Sequence, residues 1–310
     1  MVSARGLGKT YPARKGGTAF VAVDGIDFEV STGESFGFLG PNGAGKSSTM
    51  RMIGCVSPPT AGVLAVLGLD AATQGAAIRA RMGSVPQDDN LDTELTVREN
   101  LLIYGRYFRL PKALAHDRAD RLLDFARLSE KAGDRVHELS GGMRRRLTIA
   151  RSLINDPEIL LLDEPTTGLD PQARHLLWER LFQLKRDGVT LILTTHYMDE
   201  AEQLCDRLVI MDHGRIVAEG PPHVLIKEHA TREVLELRFE PGTQLDSVQR
   251  LTSIGERVEI LPDRLLCYAD DGEAALVAAT HAGLRPVTSL VRRASLEDVF
   301  LRLTGRTLIE

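Results

Sequence analysis

"FGFLGPNGAGKSSTM", residues 36–50, is the stretch of sequence that decides the fold. An apolar run ends at Gly40, a glycine-rich loop follows, and a helix-forming segment begins near Lys46. Glycines in such a loop let backbone N–H groups face phosphate oxygens, because no Cβ stands in the way, and the helix adds its positive end. The full pattern G-x-x-x-x-G-K-S between a strand and a helix therefore predicts a nucleotide-phosphate loop rather than an ordinary glycine-rich turn.

Two side chains of this loop are suited to phosphate and metal. The Lys46 ammonium is expected to reach the outer phosphates, and the Ser47 hydroxyl to ligate Mg²⁺. The residues predicted to contact the nucleotide in this loop are Gly40, Pro41, Asn42, Gly43, Ala44, Gly45, Lys46, Ser47 and Ser48.

Two further apolar runs end in polar residues that suit hydrolysis. Asp163 ends "EILLLD", where its carboxylate can hold Mg²⁺, and Glu164 follows, placed to polarise an attacking water. Gln87 in "GSVPQDD" is a candidate contact to metal and water, and His196 closes "LILTTH". A solvated strand end for the acids and a structural role for His196 remain alternatives. The predicted metal ligands are Ser47, Gln87 and Asp163, and the predicted catalytic residues are Glu164, His196 and Gln87.

The order of the elements predicts an α/β domain followed by a smaller one. Apolar runs such as "VTLILTTH" alternate with amphipathic helices, which indicates a parallel sheet covered by helices. The segment from Thr96 to Arg127 is helical in pattern, in two pieces separated by Pro111. After "GPPHVLIKEHA" the order becomes β-α-β-β-α-β and ends in the helix "SLEDVFLRLTG", which is typical of a ferredoxin-like domain. We place the boundary near residue 228.

Composition excludes several classes of protein. The 310 residues are 43% hydrophobic and 26% charged with a net charge of -5, so bulk charge gives no reason to expect nucleic-acid binding. Three scattered cysteines fit neither a metal site nor a disulfide framework, which favours a reducing compartment. The N-terminus lacks an apolar signal core, and no apolar stretch is long enough to span a bilayer. We therefore expect a cytoplasmic protein whose membrane partner, if any, is another chain.

A second anion-binding pattern occurs in "HELSGGMRRRLTIARS", residues 137–152. Ser140 is a good N-cap for a helix with an apolar stripe, but a plain capped helix does not explain Gly141 and Gly142, since glycine destabilises helices. The two glycines indicate that something approaches the backbone closely. Arg144 to Arg146 are interpreted as a solvated helix face, with a contact to a partner or phosphate as the less favoured alternative.

Taken together, these motifs resemble the ATP-binding subunit of an ABC transporter over about the first 225 residues. "GPNGAGKSS" matches the Walker A motif, "ILLLDEP" the Walker B motif, and "LSGGM" the family signature. Gln87 falls in the Q-loop position, His196 in the switch-histidine position and Asp170 in the D-loop position. Tyr11, which we place before the first strands, fits the adenine-stacking position, and a place in the core is the alternative for this aromatic residue. The amino-acid sequence around the signature motif and the C-terminal segment "LEDVFLRLTG" are similar to those of the nodulation-factor and daunorubicin-resistance exporter ATPases.

The resemblance implies a fold and a set of partners. Residues 1–228 are expected to form a RecA-like P-loop NTPase core with an antiparallel β subdomain and a helical subdomain at about 88–155, and 229–310 the α+β domain. The family's cofactors are ATP and Mg²⁺. Two copies would pack head to tail, so that Ser140, Gly141, Gly142 and Met143 contact the ATP of the other copy together with Asp170. A separate membrane permease, approached by the segment 88–138, would hold the protein at the cytoplasmic face of the membrane.

One position departs from the commonest form of the family. The signature usually ends in glutamine, whereas Met143 stands here, and a thioether is a poor hydrogen-bond partner. The nodulation and drug-export branches also resemble this sequence in carrying Met. We therefore do not interpret Met143 as a loss of activity.

Three functions are compatible with the motifs. The favoured one is the motor of an exporter that moves a small molecule, drug or (lipo)oligosaccharide. A soluble ABC-type ATPase acting on ribosomes or DNA is disfavoured by the single Walker A motif and the lack of inserted coiled coils or zinc motifs. A non-catalytic regulator is disfavoured by Glu164, whose loss would be the obvious way to stop hydrolysis.

Overall fold

The structure is a computed structural model that describes residues 1–13, 18–240 and 245–305, with the side chains of 245–247 left out. Its contacts divide the chain into two compact units, Met1–Glu219 and Gly220–Glu310. The division falls slightly ahead of the boundary expected near residue 228, because helix Pro222–His229 packs with the second unit.

The first unit contains ten strands and seven helices within the described residues. Its strands are β1 (Val2–Tyr11), β2 (Phe20–Val30), β3 (Ser35–Leu39), β4 (Ala61–Val66), β5 (Leu69–Asp70), β6 (Met82–Val85), β7 (Ile159–Asp163), β8 (Thr190–Thr195), β9 (Arg207–Asp212) and β10 (Arg215–Gly220). Its helices are α1 (Lys46–Ile53), α2 (Gly75–Ala80), α3 (Val97–Tyr107), α4 (Lys112–Phe125), α5 (Gly141–Ser152), α6 (Pro171–Arg186) and α7 (Met198–Leu204). Two short 3-10 turns, Ser129–Lys131 and Val136–Glu138, precede α5.

A mostly parallel sheet carries the site. Within the described residues its strand order is β10-β9-β3-β8-β7-β6, and the pairs β3–β8, β3–β9, β7–β8 and β6–β7 are parallel. The carboxyl ends of β3, β7 and β8 therefore meet at one edge, as ligand sites in open α/β sheets require. The parallel sheet that the alternation of strands and helices predicts is confirmed, and the resemblance implied a core of this RecA-like kind.

A second sheet has the order β2-β1-β4-β5, and the pairings along it are antiparallel. The core between this sheet and the first contains Phe28, Phe36 and Phe38, whose rings contact one another at centroid distances of 5.2 to 6.0 Å. Helices α3, α4 and α5 pack on a separate apolar cluster and form the helical subdomain. One expectation is wrong: Tyr11 does not precede the first strand but ends β1.

The second unit has the predicted ferredoxin-like architecture. It contains α8 (Pro222–His229), β11 (Glu233–Arg238), α9 (Leu245–Thr252), β12 (Arg257–Ile260), β13 (Leu265–Ala269), α10 (Gly272–His281), β14 (Thr288–Arg293) and α11 (Leu296–Thr304). The strands pair antiparallel in the order β12-β13-β11-β14. Leu235, Cys267 and Ala275 belong to the core under α9 and α10, whereas Tyr268 and Leu301 belong to a second cluster with α11.

The three cysteines are free thiols in separate environments. Cys205 is buried in the first unit and Cys267 in the second, while Cys55 is partly exposed after α1. Across the described part of the chain, no helix combines the length and apolar character needed to span a membrane.

Candidate nucleotide-binding site

The Walker A loop leaves the fully buried strand β3 and enters α1. Two of its glycines are sterically required. A Cβ on Gly40 would lie 2.3 Å from the carbonyl oxygen of Met211, and Gly45, at φ +103°, would place a Cβ 2.4 Å from that of Ala22. The loop is therefore packed closely from behind, and its front stays open for a ligand.

Lys46 is held inside this loop. Its side chain is buried, and Nζ donates hydrogen bonds to the carbonyl oxygens of Gly40 at 2.6 Å and Pro41 at 3.0 Å. Burial lowers the pKa of Lys46, although the nearby charges of Glu164 and Asp163 oppose the shift. A buried ammonium at the mouth of the loop is suited to phosphate oxygens.

The oxygens around Asp163 suit a hard divalent cation. Asp163 ends β7, where its Oδ1 accepts hydrogen bonds from Thr194 Oγ1 at 2.5 Å and from Ser47 Oγ at 3.5 Å. Carboxylate and hydroxyl oxygens are the ligands that Mg²⁺ prefers, usually completed by phosphates and water. The residues present therefore fit Mg²⁺, the metal that the resemblance implies.

Glu164 lies at the centre of the predicted catalytic group. Its Oε2 accepts hydrogen bonds from Gln87 Nε2 at 3.4 Å and Thr167 Oγ1 at 3.2 Å, and Oε1 is 3.3 Å from His196 Nδ1. The backbone N–H donates to the carbonyl and hydroxyl oxygens of Thr194, both at 3.1 Å. Glu164 has φ +45°, which is rare for a residue with a side chain and typical of functional sites. The structure thus brings Gln87, Glu164 and His196 together.

The signature residues begin α5. The Ser140 hydroxyl accepts a hydrogen bond from the Met143 N–H at 3.3 Å, so the predicted N-cap is present. A Cβ on Gly141 would meet open space, whereas one on Gly142 would approach Ala173 Cβ at 3.2 Å. Met143 is half-buried against the core of the helical subdomain. In this position its thioether is a packing group.

The cavity beside Walker A, of about 180 Å³, does not include the signature among its described lining residues. Phe20, Lys46, Ser47, Gln87 and Glu164 line it. Ser140 to Met143 lie outside this lining, at the N-terminal end of α5.

Asp170 is an N-cap in this structure. Its Oδ1 accepts a hydrogen bond from the Ala173 N–H at 2.8 Å at the start of α6. This local bond accounts for the residue type, and a contact to nucleotide stays a prediction.

Sequence reasoning missed one aromatic residue at the site. Phe20 is 58% exposed, lines the cavity beside Walker A and pairs in register with Tyr11 across β1 and β2. The Tyr11 hydroxyl lies 3.3 Å from Ser48 Oγ, and this hydrogen bond is the main reason why the pKa of Tyr11 is lowered. Because strand pairing brings Phe20 here, only a prediction of β1 could have indicated it.

The interpretation of Arg144 to Arg146 as a solvated face is wrong for its central member. Arg145 is 4% exposed and donates hydrogen bonds to the backbone carbonyl oxygens of Gln87 and Glu164. An arginine can be buried when backbone carbonyls satisfy its donors, and a run of three charges does not reveal which one turns inward.

Comparisons with known proteins agree with this geometry. The family model for ABC transporters matches residues 23–167, and that for the C-terminal domain of the nodulation factor export protein NodI matches residues 244–305. The Nod factor export ATP-binding protein I of Rhizobium sp. (strain N33) is 53% identical over 92% of this chain and 93% of its own length. That of Ralstonia nicotianae is 50% identical over 99% of this chain and 94% of its own length.

Solved structures with the same fold are nucleotide-binding cassettes. The ATP-binding cassette MJ0796, as a post-hydrolysis dimer bound to ADP and Pi, has a TM-score of 0.65 at 29% identity over 71% of this chain and 98% of its own. CbiO1 from Clostridium perfringens, part of an ABC transporter complex, has a TM-score of 0.66 at 28% identity, over 73% of this chain and 90% of its own.

Fold and site together define the ATP-hydrolysing subunit of an ABC exporter. More narrowly, the chain belongs to the family of Nod factor export ATP-binding proteins I. The predicted exporter ATPase is thereby confirmed, and action on ribosomes or DNA is not supported.

Proposed function

We propose that two copies of this chain pack head to tail and enclose two ATP molecules, each between one Walker A loop and the other copy's signature. The separation of these two surfaces within one chain supports this arrangement, because neither surface alone surrounds a nucleotide. The Gly141 N-terminus of α5, open above its backbone, is suited to accept a γ-phosphate from the partner. Asp170 would meet the nucleotide across the same interface.

Within each site the residues have distinct roles. Lys46 and the Walker A backbone would bind the phosphates, while Ser47, Asp163 and Gln87 would hold Mg²⁺ with the nucleotide. When bound, the metal offsets charge on the outer phosphate oxygens. Glu164 accepts a proton from the attacking water, and His196 and Gln87 hold the Glu164 carboxylate in position. Tyr11 stacks on the base, with Phe20 beside it.

The observation that carries this proposal is the set of contacts to Glu164. Gln87, Thr167 and His196 lie within 3.2 to 3.4 Å of the Glu164 carboxylate and fix its orientation. Glu164 also lines the cavity beside Walker A. Acid–base catalysis by a positioned group contributes about 10²- to 10⁴-fold to a rate. Orientation by three neighbours is the arrangement such a base requires.

The enzyme would drive a separate membrane permease, which would place it at the cytoplasmic face of the membrane. A groove of about 590 Å³ runs between the core and the helical subdomain, and its lining includes Gln87, Tyr104 and Phe108. A permease segment seated here would contact the Q-loop directly. The names of the relatives favour a Nod factor or a related molecule as the exported substrate.

The Glu164→Gln variant tests the proposal. We expect ATP hydrolysis to fall by about 10²- to 10⁴-fold, because the base is lost, while ATP now holds a stable dimer. Steady-state phosphate release and gel filtration with and without ATP measure the two effects. The matched control is Glu179→Gln, an exposed glutamate on α6, which should behave as wild type. Normal hydrolysis by Glu164→Gln would refute the role of this residue, and a monomer in ATP would refute the dimer.

A further inference from the structure

Arg145 connects the signature helix to both catalytic loops of its own chain. Its guanidinium donates to five backbone carbonyl oxygens, from Nε to Pro165, from Nη1 to Pro86 and Gln87, and from Nη2 to Asp163 and Glu164. Pro86 and Gln87 belong to the Q-loop, Asp163 ends β7, and Glu164 and Pro165 follow that strand. The hydrogen bonds thus connect α5 to the backbone that presents the catalytic carboxylate.

Other side chains of α5 extend this connection along the Q-loop. Arg151 donates to the carbonyl oxygens of Asn90 at 2.7 Å and Asp89 at 2.9 Å. Arg144 Nε lies 3.5 Å from Asp89 Oδ2, and Thr148 Oγ1 donates to the Asp89 carbonyl at 3.4 Å. Residues 86–90 therefore rest on one face of α5, and among these contacts only those of Arg145 also reach Glu164.

The guanidinium is suited to this position in a way that lysine is not. A planar group with five N–H donors can satisfy several carbonyls in fixed directions, whereas an ammonium is a compact point charge. Burial lowers the pKa of Arg145, and the charges of Asp89, Glu200, Asp163 and Glu164 oppose the shift. Its hydrogen bonds and neighbouring carboxylates compensate for the loss of water.

We propose that Arg145 is a positioning residue that couples the two nucleotide sites of the dimer. When the signature end of α5 engages the partner's ATP, Arg145 carries the displacement of that helix to the chain's own Q-loop and to the backbone of Glu164. ATP at one site then sets the geometry of the base at the other, and hydrolysis becomes cooperative. The inference rests on the head-to-tail dimer of the proposed function.

The dependence of hydrolysis rate on ATP concentration tests the coupling in the full chain. Wild type is expected to show a Hill coefficient approaching about 2, the number of sites, and Arg145→Met a coefficient near about 1 with a lower maximal rate. Arg146→Met is the matched control, since Arg146 is the next residue of α5 and, within the described part of the chain, donates to the Ala126 carbonyl of the helical subdomain and not to the catalytic loops. It should retain the wild-type coefficient. A variant with a reduced folded fraction would lose rate without a change in coefficient.

Each outcome supports or overturns the coupling. A wild-type coefficient in Arg145→Met, or a coefficient of 1 in wild type itself, would overturn it. Should Arg145→Met fail to fold, Arg145→Lys takes its place, because it keeps the charge and loses the planar donor set, and the same loss of cooperativity is expected. Each variant is also prepared with the additional substitution Glu164→Gln, and gel filtration of this double variant with ATP shows whether the dimer forms. Failure of that dimer counts against the proposed function, whereas an intact dimer with unchanged cooperativity counts against Arg145 alone.

Discussion

The Glu200 carboxyl is buried in α7, four residues after His196. Burial raises the pKa of Glu200 to about 6 from an ordinary value of 4.5. The polar groups of Thr195, Thr166 and Trp178 act in the opposite direction and lower the pKa, but the effect of burial is larger. Since the folded-state pKa is the higher one, the folded protein binds this proton more tightly than the unfolded chain does. Stability is therefore lost as the pH rises from about 4.5 to above 6.

Replacing Glu200 by Gln should remove this pH dependence. The free energy of unfolding of Glu200→Gln, relative to wild type, is expected to rise by about 1 kcal/mol between pH 5 and pH 8. Urea unfolding at both pH values measures it. Glu179→Gln, at an exposed position, should leave the pH dependence unchanged. If the free energies of unfolding of Glu200→Gln and wild type differ by the same amount at pH 5 and at pH 8, the raised pKa of Glu200 is contradicted.

Residues whose role depends on local sequence were predictable, and those whose role depends on distant backbone were not. The Walker A glycines, Lys46 and Ser140 act through the loop or helix end in which they stand, so their spacing indicates the chemistry. Arg145 binds carbonyls about 20 and 60 residues away in sequence, and no local pattern predicts that geometry.

At the scale of elements, α11 is fastened to its sheet by one buried carboxylate. Asp298 accepts hydrogen bonds from Arg292 Nη1 at 2.7 Å and Nη2 at 2.9 Å, from the Tyr268 hydroxyl at 3.0 Å and from the Ser295 N–H at 2.8 Å. Burial alone would raise the pKa of Asp298, but the hydrogen bonds and charge of Arg292 lower it below its usual range. One side chain thus joins β13, β14 and the start of α11.

We expect Asp298→Ala to destabilise the second unit by about 3 kcal/mol, because it removes the buried carboxylate shared by Arg292 and Tyr268 and leaves Arg292 paired with Glu236 alone. Hydrogen exchange of peptides from β13 and α11 measures the loss. The matched control is Glu297→Ala, the exposed neighbour on the same helix, with an effect of about 0.5 kcal/mol or less. The lowered pKa also fixes the pH dependence of this effect. Asp298 stabilises the folded state at pH values above its ordinary pKa of 3.8, and this stabilisation is lost as the pH falls through the folded-state pKa. Equal exchange in the two variants would contradict this role.

Strand β1 shows why some elements were missed. Its register with β2 shifts between Ala4 and Leu7, and Gly6 lies there at φ +54°. Bulges of this kind break the alternation of buried and exposed residues by which a strand is predicted. The second unit has shorter strands whose registers, in the described residues, contain no such shift, and its element order was predicted from the sequence alone.

At the scale of the whole molecule, every residue assigned to nucleotide or metal lies in the first unit. A chain of residues 1–221, which keeps β10 complete, is therefore expected to bind ATP with a Kd within about twofold of the full chain, or about 0.4 kcal/mol. Isothermal titration calorimetry measures the affinity. A 1–221 chain carrying Lys46→Ala is the control for binding at Walker A. Loss of ATP binding by a folded 1–221 chain would show that the second unit contributes to the site.

Each unit contains one deeply placed thiol. Cys205 and Cys267 are buried in the first and second units, and burial raises the pKa of both, whereas Cys55 is the partly exposed one. A thiol reagent added in short pulses during denaturation would therefore modify Cys55 early and the other two only as their own units open. The chain carries a built-in pair of reporters, by which the order of opening of its two units can be followed in a mass spectrum without any engineered label.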